Sequence, residues 1–285
     1  MKGRTHSMIS VETASKASVV QGEGAVKDVE SGRLHSGVCD AEPPEPLDAA
    51  RCMRGGMPFG ILTATWGETV PFLRHMKVER EVRRGPRSFF EGELAGCDVV
   101  VACAGVGKVN AAMATQQLID SYRVWGVANA GAAGAADASL ELFDVVVSET
   151  CVHHDVPGFV LPDSYPYYDG EEFASDKVLL KAAKKASAEW SKPFVFGRTA
   201  TGECFVDDSN RDGIVARCNP LSVDMETAAM AQTCTANGIP FIAVRCITDT
   251  PALSGFDSYA QNADEASEYA CQATQLMLRV LAGGE

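Results

Sequence analysis

The chain has 285 residues, of which 46% are hydrophobic, and a formal net charge of −13. This length and composition suffice for one large α/β domain with a sizeable core. The acidic charge argues against a nucleic-acid partner, whose phosphates require a surface of lysine and arginine. We find no apolar run of membrane-spanning length and no secretory signal, so we expect a soluble, cytoplasmic protein with no membrane partner. The ten cysteines are scattered without CxxC pairs, a pattern typical of reduced, buried thiols.

Residues 1–57 are predicted to be a flexible extension. They contain few aromatic residues, charges of both signs and a proline-rich run at 42–46. Such a composition buries too little apolar surface to offset the entropy lost on ordering. No second linker is visible, so residues 58–285 are predicted to form a single domain.

From Pro58 onward, short apolar runs alternate with helical stretches. The predicted strands are 59–62, 99–104, 124–129, 143–147 and 241–247, and the predicted helices are 107–121, 176–189, 222–237 and 258–282. Short apolar runs separated by helices are typical of strands buried on both faces of a mixed or mainly parallel sheet. The fold is therefore predicted to be α/β, with a mixed central sheet flanked by helices.

Acidic residues follow two predicted strands and begin one predicted helix. Glu68 comes shortly after the first strand, Asp249 comes after the last strand, and Glu226 lies in the first turn of an alanine-rich helix. Ligands collect at the carboxyl ends of strands in open α/β sheets, so Glu68 and Asp249 are expected to share one crevice. Purely structural interpretations stay open: a solvated loop acid for Glu68, a cap or turn residue for Asp249, and helix capping for Asp224 with Glu226.

Four other segments are less specific. "ACAGVGKVNAA" (102–112) lacks the glycine and the Ser or Thr that a GxxxxGK[ST] phosphate loop requires. "NAGAAGAAD" (129–137) permits close backbone approach. His153 and His154 are adjacent, so on a strand they would point to opposite faces, and we predict no shared metal. The arginine-rich "VRRGPR" (82–87) is the segment best suited to hold an anion.

Taken in order, the segments over about 58–283 resemble the 5'-methylthioadenosine/S-adenosylhomocysteine nucleosidases of the nucleoside phosphorylase superfamily. The matching stretches are "FGILTATWGETVPFL", "VVVACAGVGKVNAAMAT", "WGVANAGAAGAADASLELFDVVVSE", "TGECFV" and "SVDMETAAMAQTCTANGIPFIAVRCITDT". The last stretch is long and specific, whereas the glycine segments alone would not be. The resemblance implies a nucleoside phosphorylase-like fold, a homodimer, a purine nucleoside substrate and no cofactor.

The resemblance also implies which acids act in cleavage of the N-glycosidic bond. Glu68 would position the attacking water, and Asp249 would protonate N7 of the departing purine. Cleavage of this bond builds oxocarbenium character on the ribose and negative charge on the base, so one acid must give a proton while another group guides water to the opposite face. We expect burial to keep Asp249 protonated and a wetter loop to leave Glu68 ionised.

Further residues are implied to bind the substrate or to orient Asp249. They are Glu226 and Met225 for the ribose, Phe205 by stacking and Val206 by its main chain for the base, and Thr248 and Arg245 for the orientation of Asp249. The sequence departs mildly from the family pattern at three positions. Asp224, Glu203 and Thr248 stand where the family carries Glu, Asp and Ser.

The 5' substituent of the substrate and the use of phosphate stay open. The stretch "HDVPGFVLPDSYPYYDG" (154–170) matches the family poorly in the part that lines the 5' pocket. A phosphorylase would carry a Gly-Asp-Pro-x-Arg-like loop where this chain has Glu68, and an acid there would repel phosphate. A futalosine-type hydrolase would use the same acids, whereas a non-catalytic nucleoside-binding protein would be expected to have lost one of them.

Overall fold

The computed structural model describes residues 47, 56–161, 170–253 and 255–283. All of these residues belong to one compact unit. The predicted extension at residues 1–57 lies almost entirely outside the described residues, so this boundary stays a prediction. None of the described helices is both long enough and apolar enough to cross a membrane.

Ten strands form one sheet, and six helices lie fully within the described residues. The strands are β1 (Phe59–Thr63), β2 (Lys77–Arg84), β3 (Arg87–Leu94), β4 (Cys97–Cys103), β5 (Val127–Ala135), β6 (Val145–His153), β7 (Glu172–Ala174), β8 (Val195–Thr201), β9 (Ser222–Asp224) and β10 (Phe241–Asp249). The helices are α1 (Trp66–His75), α2 (Lys108–Tyr122), α3 (Lys177–Ser187), α4 (Arg211–Cys218), α5 (Thr227–Ala236) and α6 (Phe256–Gly283).

The sheet is mixed, and part of it closes on itself. Strands β4, β1, β5 and β10 are parallel, whereas β6, β8 and β9 run antiparallel to β5 and β10. Strand β10 pairs with both β5 and β6, and β9 joins β8 to β5, which completes a circuit of five strands. From β5 the order β1, β4, β3, β2 continues as an open extension. The prediction of an α/β fold with a mixed central sheet is confirmed.

Helices pack on both faces of the sheet, as the continuous apolar runs predict. Ile61 of β1 belongs to a core cluster that includes residues of α1, α3 and α6, whereas the next residue, Leu62, belongs to a cluster that includes residues of α2 and α5. Successive side chains of a strand point to opposite faces, so a strand covered on both faces must be apolar throughout. All five residues of β1 are buried. The described cysteines are free thiols, and most of them are buried.

Strands β7 and β8 and helix α4 were not predicted from the sequence, and three further segments differ from the sequence-based prediction. The helix predicted over 222–237 begins only at Thr227, because residues 222–224 pair with β5 and β8 as strand β9. The acidic segment after β1 is helix α1 rather than a loop. The hairpin of β2 and β3 was not predicted, because β2 is charged and almost wholly exposed, so it contains no apolar run.

The pairing of β5 leaves a gap along one of its edges. Strand β10 pairs along most of β5, so β1 and β9 must share the opposite edge. There β1 pairs with residues 127–129 and β9 pairs with residues 134–135. Between them residues 130–133 have no described strand partner on this edge, and the chain leaves β1 and β9 at this point. The unpaired backbone of β5 on this edge is therefore available to side chains that follow those two strands.

Candidate active site

One cleft of about 180 Å³ opens at this gap in the sheet. Seven of the eight residues proposed from the sequence line it, namely Glu68, Phe205, Val206, Met225, Glu226, Arg245 and Asp249. The eighth, Thr248, donates a hydrogen bond of 2.9 Å from Oγ1 to Oδ1 of Asp249. The expectation that Glu68 and Asp249 share a crevice is met by the geometry.

Glu68 is held by backbone donors rather than by solvent. Its Oε2 accepts hydrogen bonds from the backbone N–H groups of Ala64 (2.7 Å) and Thr65 (2.8 Å), and its Oε1 accepts one from Ala132 in the gap of β5 (2.7 Å). Thr65 is the N-cap of α1, and its side chain accepts from the Glu68 N–H, which completes a capping box. Glu68 is 3% exposed. The expected wet loop is therefore wrong, because α1 begins directly after β1 and buries this acid.

Asp249 is the last residue of β10 and is buried in the same cleft as Glu68. Burial raises the pKa of Asp249, while the Thr248 hydrogen bond and the positive charge of Arg211 lower it, and the net shift is upward. Gly134 makes room for this carboxyl group, since a Cβ at that position would lie 2.9 Å from Oδ2 of Asp249. The direction of the shift agrees with the expectation that burial favours the protonated form.

Glu226 directs its carboxylate into the cleft from the start of α5. Its Oε1 accepts a hydrogen bond from the backbone N–H of Gly107 (2.9 Å), and its Oε2 accepts from Nη2 of Arg245 (3.4 Å). Burial raises the pKa of Glu226 to about 7, with the charge of Arg245 opposing the rise and that of Asp224 adding to it. This acid therefore carries a proton more readily than an exposed glutamate.

Asp224 is a structural residue, although the N-cap of α5 is Glu226 and not Asp224 as the capping interpretation has it. Its Oδ1 accepts from the hydroxyl of Thr201 (2.6 Å) and from the backbone N–H groups of Glu226 (3.3 Å) and Thr227 (3.2 Å). These contacts tie the end of β9 to β8 and satisfy donors at the start of α5. Two acids separated by one residue thus have different roles, since Asp224 fixes the backbone that presents Glu226.

Arg245 is not placed to orient Asp249, contrary to the sequence-based expectation. The fully buried guanidinium donates to Oδ1 of Asn129 (3.0 Å) and to Glu226, and its Nε lies 3.4 Å from Oδ2 of Asp224. Four residues along a strand span about 13 Å, so the Arg245 and Asp249 side chains leave β10 at well-separated positions. Arg245 therefore neutralises Asp224 and Glu226 at the end of β9. Of the two residues expected to orient Asp249, Thr248 is the one that contacts it.

Two aromatic residues of α6 complete the cleft and were not identified from the sequence. The ring centroid of Tyr259 lies 6.3 Å from that of Phe205 and 5.7 Å from that of Phe256. Phe205 and Phe256 are exposed, so the three rings form an apolar rim. Burial raises the pKa of the Tyr259 hydroxyl, and the charge of Glu68 adds to the rise. The signal available in the sequence was a pair of aromatics in an otherwise polar helix start, "GFDSYAQ".

Of the other singled-out segments, both glycine segments line the cleft, through Val106 and through residues 132–134, whereas the arginine-rich segment and the histidine pair do not. Arg87 of the arginine-rich segment donates to the carbonyls of Cys103 (3.1 Å) and Ala104 (2.9 Å) and to Gln117, so it supports the turn after β4. A ring nitrogen of His153 forms a hydrogen bond with the side-chain oxygen of Gln232. Residues 162–169, eight of the seventeen residues of the weakly matching stretch, lie outside the described residues.

The chain is similar to several known proteins in sequence and in fold. Residues 58–282 match the family described as the phosphorylase superfamily. The chain is 35% identical over 220 residues to the 5'-methylthioadenosine/S-adenosylhomocysteine nucleosidase of Geobacillus thermodenitrificans, covering 75% of this chain and 93% of that one. The enzyme of the same name from Neisseria meningitidis, solved in complex with methylthio-immucillin-A, superposes with a TM-score of 0.72 at 30% identity over 78% of this chain and 99% of that one.

A second solved structure is similar to the same extent. The S-adenosylhomocysteine nucleosidase from Streptococcus pyogenes, in complex with 5-methylthiotubericidin, superposes with a TM-score of 0.73 at 27% identity, over 80% of this chain and 98% of that one. The shared fold, the near-complete coverage of these relatives and the identity above 30% lead to one conclusion. The chain belongs to the 5'-methylthioadenosine/S-adenosylhomocysteine nucleosidase family of the phosphorylase superfamily.

Proposed function

We propose that the chain hydrolyses the N-glycosidic bond of 5'-methylthioadenosine, S-adenosylhomocysteine and similar nucleosides, releasing adenine and a thioribose. The observation that carries the proposal is the convergence of three buried carboxyl groups, Glu68, Glu226 and Asp249, in a single cleft with an aromatic rim. The relatives named above are nucleosidases for these substrates. Their family membership and the site geometry support the same reaction.

Asp249 is the general acid in this mechanism. Its raised pKa keeps a proton available to N7 of the purine, which withdraws electrons from the glycosidic bond as C1'–N9 breaks. Thr248 orients the carboxyl group through its hydrogen bond to Oδ1. Protonation turns the base into a neutral leaving group, and this assistance contributes about 10²- to 10⁴-fold in general acid catalysis.

Glu68 guides the water that forms the new bond. Three backbone N–H groups fix the carboxylate, and a carboxylate offers about four acceptor sites, so a site remains for a proton of water. The water oxygen bonds to C1' as the base departs, and its proton passes to Glu68. One proton leaves Asp249 and another reaches Glu68, so the step is balanced without a further reactant.

Glu226 and the aromatic rim would bind the ribose and the base. Glu226 is fixed from two sides by Gly107 and Arg245, so its carboxylate can meet sugar hydroxyls without reorganising. Phe205 would stack on the purine, with the main chain of Val206 hydrogen bonding its edge and Met225 packing beside the sugar. Because these contacts exist before and during the reaction, we expect them to affect KM more than kcat.

Release of adenine from 5'-methylthioadenosine with and without phosphate tests the proposal. We expect a rate independent of phosphate and free 5-methylthioribose as product. Strict dependence on phosphate, with a sugar phosphate as product, would instead show a phosphorylase. Among the described residues of the cleft Arg245 is the only arginine, and two carboxylates engage it, so these residues offer no free cation for phosphate. A panel that includes S-adenosylhomocysteine and futalosine would identify the 5' group.

We also infer a homodimer in the cytoplasm. Large apolar side chains are exposed along the start of α2, where Val106 lines the cleft and Val109 and Met113 are 67% and 54% exposed. Residues four apart lie on one face of a helix, so Val109 and Met113 form a continuous apolar strip. Such a strip beside a binding cleft is typical of a protein interface. Family membership supports a second copy of this chain as the partner.

A further inference from the structure

Three residues from separate segments form a closed set of hydrogen bonds beside the cleft. Nζ of Lys108 donates to Oδ1 of Asp155 (2.6 Å), and Oδ2 of Asp155 accepts from the backbone N–H of Glu203 (3.0 Å). Oε1 of Glu203 in turn accepts from the backbone N–H of Lys108 (2.9 Å). We call these residues the Lys108–Asp155–Glu203 ring. It joins the start of α2, the turn after β6 and the loop after β8.

The ring lies between the two halves of the proposed substrate site. Glu203 is two residues before Phe205, which would stack on the base. The adjacent N–H groups of Gly107 and Lys108 bind two different carboxylates, Glu226 for the ribose and Glu203 of the ring. The amino-terminal end of a helix favours carboxylates, because its N–H groups lack partners within the helix. The start of α2 therefore connects two parts of the proposed site. One is the loop at residues 202–206 that carries Phe205, which we call the base loop, and the other is Glu226, which we call the ribose acid.

Glycines at positions 107 and 202 permit the close packing of the base loop on its neighbours. Gly107 has φ of +95°, and a Cβ there would lie 2.7 Å from Oε2 of Glu203. A Cβ on Gly202 would lie 2.2 Å from the ring of His154. Glycine at both positions lets the base loop pack directly on α2 and on the turn after β6.

We propose that Lys108, Asp155 and Glu203 are positioning residues that hold the base loop at a fixed distance from the ribose acid. The inference rests on the proposed function, because it takes Phe205 and Glu226 as the groups that meet base and sugar. A loop held in place before binding avoids the ordering cost that a free loop would incur when substrate arrives. The ring thus strengthens binding of the adenine moiety in the ground state and the transition state alike.

The variant Asp155→Ala removes two of the three ring bonds and tests the proposal. We expect KM for 5'-methylthioadenosine and Kd for adenine to rise about tenfold, with kcat within about threefold of the wild type, as for loss of uniform binding. The variant Lys108→Met should have a smaller effect, since it removes one bond. In the double variant the effects should not add, because both changes break the same ring.

Amide hydrogen exchange of the free protein provides a readout that does not depend on activity. We expect faster exchange in residues 202–206 of Asp155→Ala and unchanged exchange in β10. Glu91→Gln is the control, since it breaks the exposed ion pair with Arg80 on the β2–β3 hairpin. Unchanged exchange and unchanged adenine Kd in both ring variants would overturn the inference, even if the wild type proves to be a nucleosidase. If the wild type neither binds nor releases adenine, the proposed function fails, and the exchange result still decides whether the ring holds the loop.

Discussion

Gly131 of β5 lies directly against the carboxylate of Glu68. A Cβ at position 131 would be 2.3 Å from Oε1 of Glu68 and 2.5 Å from its Cδ. The contact is to a carboxylate that three backbone N–H groups already fix, so it cannot move aside without losing them. The glycine in the central strand is therefore part of the proposed catalytic site, because it lets the acid reach the unpaired edge of β5.

The variant Gly131→Ala should be nearly inactive. We expect kcat/KM to fall at least about a hundredfold, since the added methyl group displaces Glu68 by more than the tolerance of about 0.5 Å for a preorganised group. Steady-state adenine release measures the effect, and circular dichroism checks the fold. Gly213→Ala on α4 is the matched control, because a Cβ there meets nothing within 4 Å. Full activity in Gly131→Ala would show that Glu68 does not need its present position.

The variant Asp249→Asn should lose the chemical step while keeping the site intact. Asparagine can still accept the hydrogen bond from Thr248 but cannot give a proton to N7. We expect kcat to fall about 10²- to 10⁴-fold, with the Kd for adenine changed by no more than a few-fold. Single-turnover rates and calorimetric titration with adenine measure these two quantities. Asp98→Asn on the exposed side of β4 serves as control, and near-normal turnover in Asp249→Asn would refute the role.

Much of this site was accessible from the sequence. The order of short apolar runs and helical stretches gave the α/β class, and the resemblance of the "SVDMET" and "RCITDT" segments placed Glu226 and Asp249. These residues follow strand ends, where parallel topology collects ligands. The sequence thus determined which acids converge, although it did not show how each one is held.

The contacts that hold the acids depend on pairing that is remote in sequence. The interpretation of Glu68 as a loop acid missed the capping box with Thr65, and no local pattern reveals that Ala132 would donate to it. The expected link from Arg245 to Asp249 failed because four residues along a strand span about 13 Å, and the guanidinium bonds Asn129 and Glu226 instead. The sequence pattern predicts helix where β9 lies, because three residues carry too little pattern to compete with the alanine-rich helix that follows.

The raised pKa of Glu226 predicts a specific dependence of stability on pH. Its value is about 7 in the folded chain, against an ordinary value of 4.5. Between these values the folded state holds a proton that the unfolded state has released, so this group's contribution to stability falls as pH rises from about 4.5 to 7. The variant Glu226→Gln cannot ionise and does not incur this loss.

Thermal unfolding of Glu226→Gln and wild type at pH 5 and pH 8 checks the prediction. The stability of the variant relative to the wild type should rise by on the order of 3 kcal/mol from the lower to the higher pH. Glu79→Gln changes an exposed residue of β2 and is the control. Its stability should equal that of the wild type at both pH 5 and pH 8. If the stability difference between Glu226→Gln and the wild type is the same at pH 5 and pH 8, Glu226 ionises normally in the folded chain.

The apolar strip on α2 predicts that a single charge there abolishes the proposed homodimer. In the variant Val109→Glu a carboxylate would be buried without a partner in the interface, so we expect monomers at micromolar concentration. Val178→Glu is the matched control, because Val178 is likewise an exposed valine at the second position of its helix, α3. Each introduced glutamate lies near the amino-terminal end of its helix, where it interacts equally favourably with the helix dipole. A difference in oligomeric state between the two variants therefore reports on the interface. Sedimentation velocity measures the outcome, and a dimeric Val109→Glu would place the interface on another face.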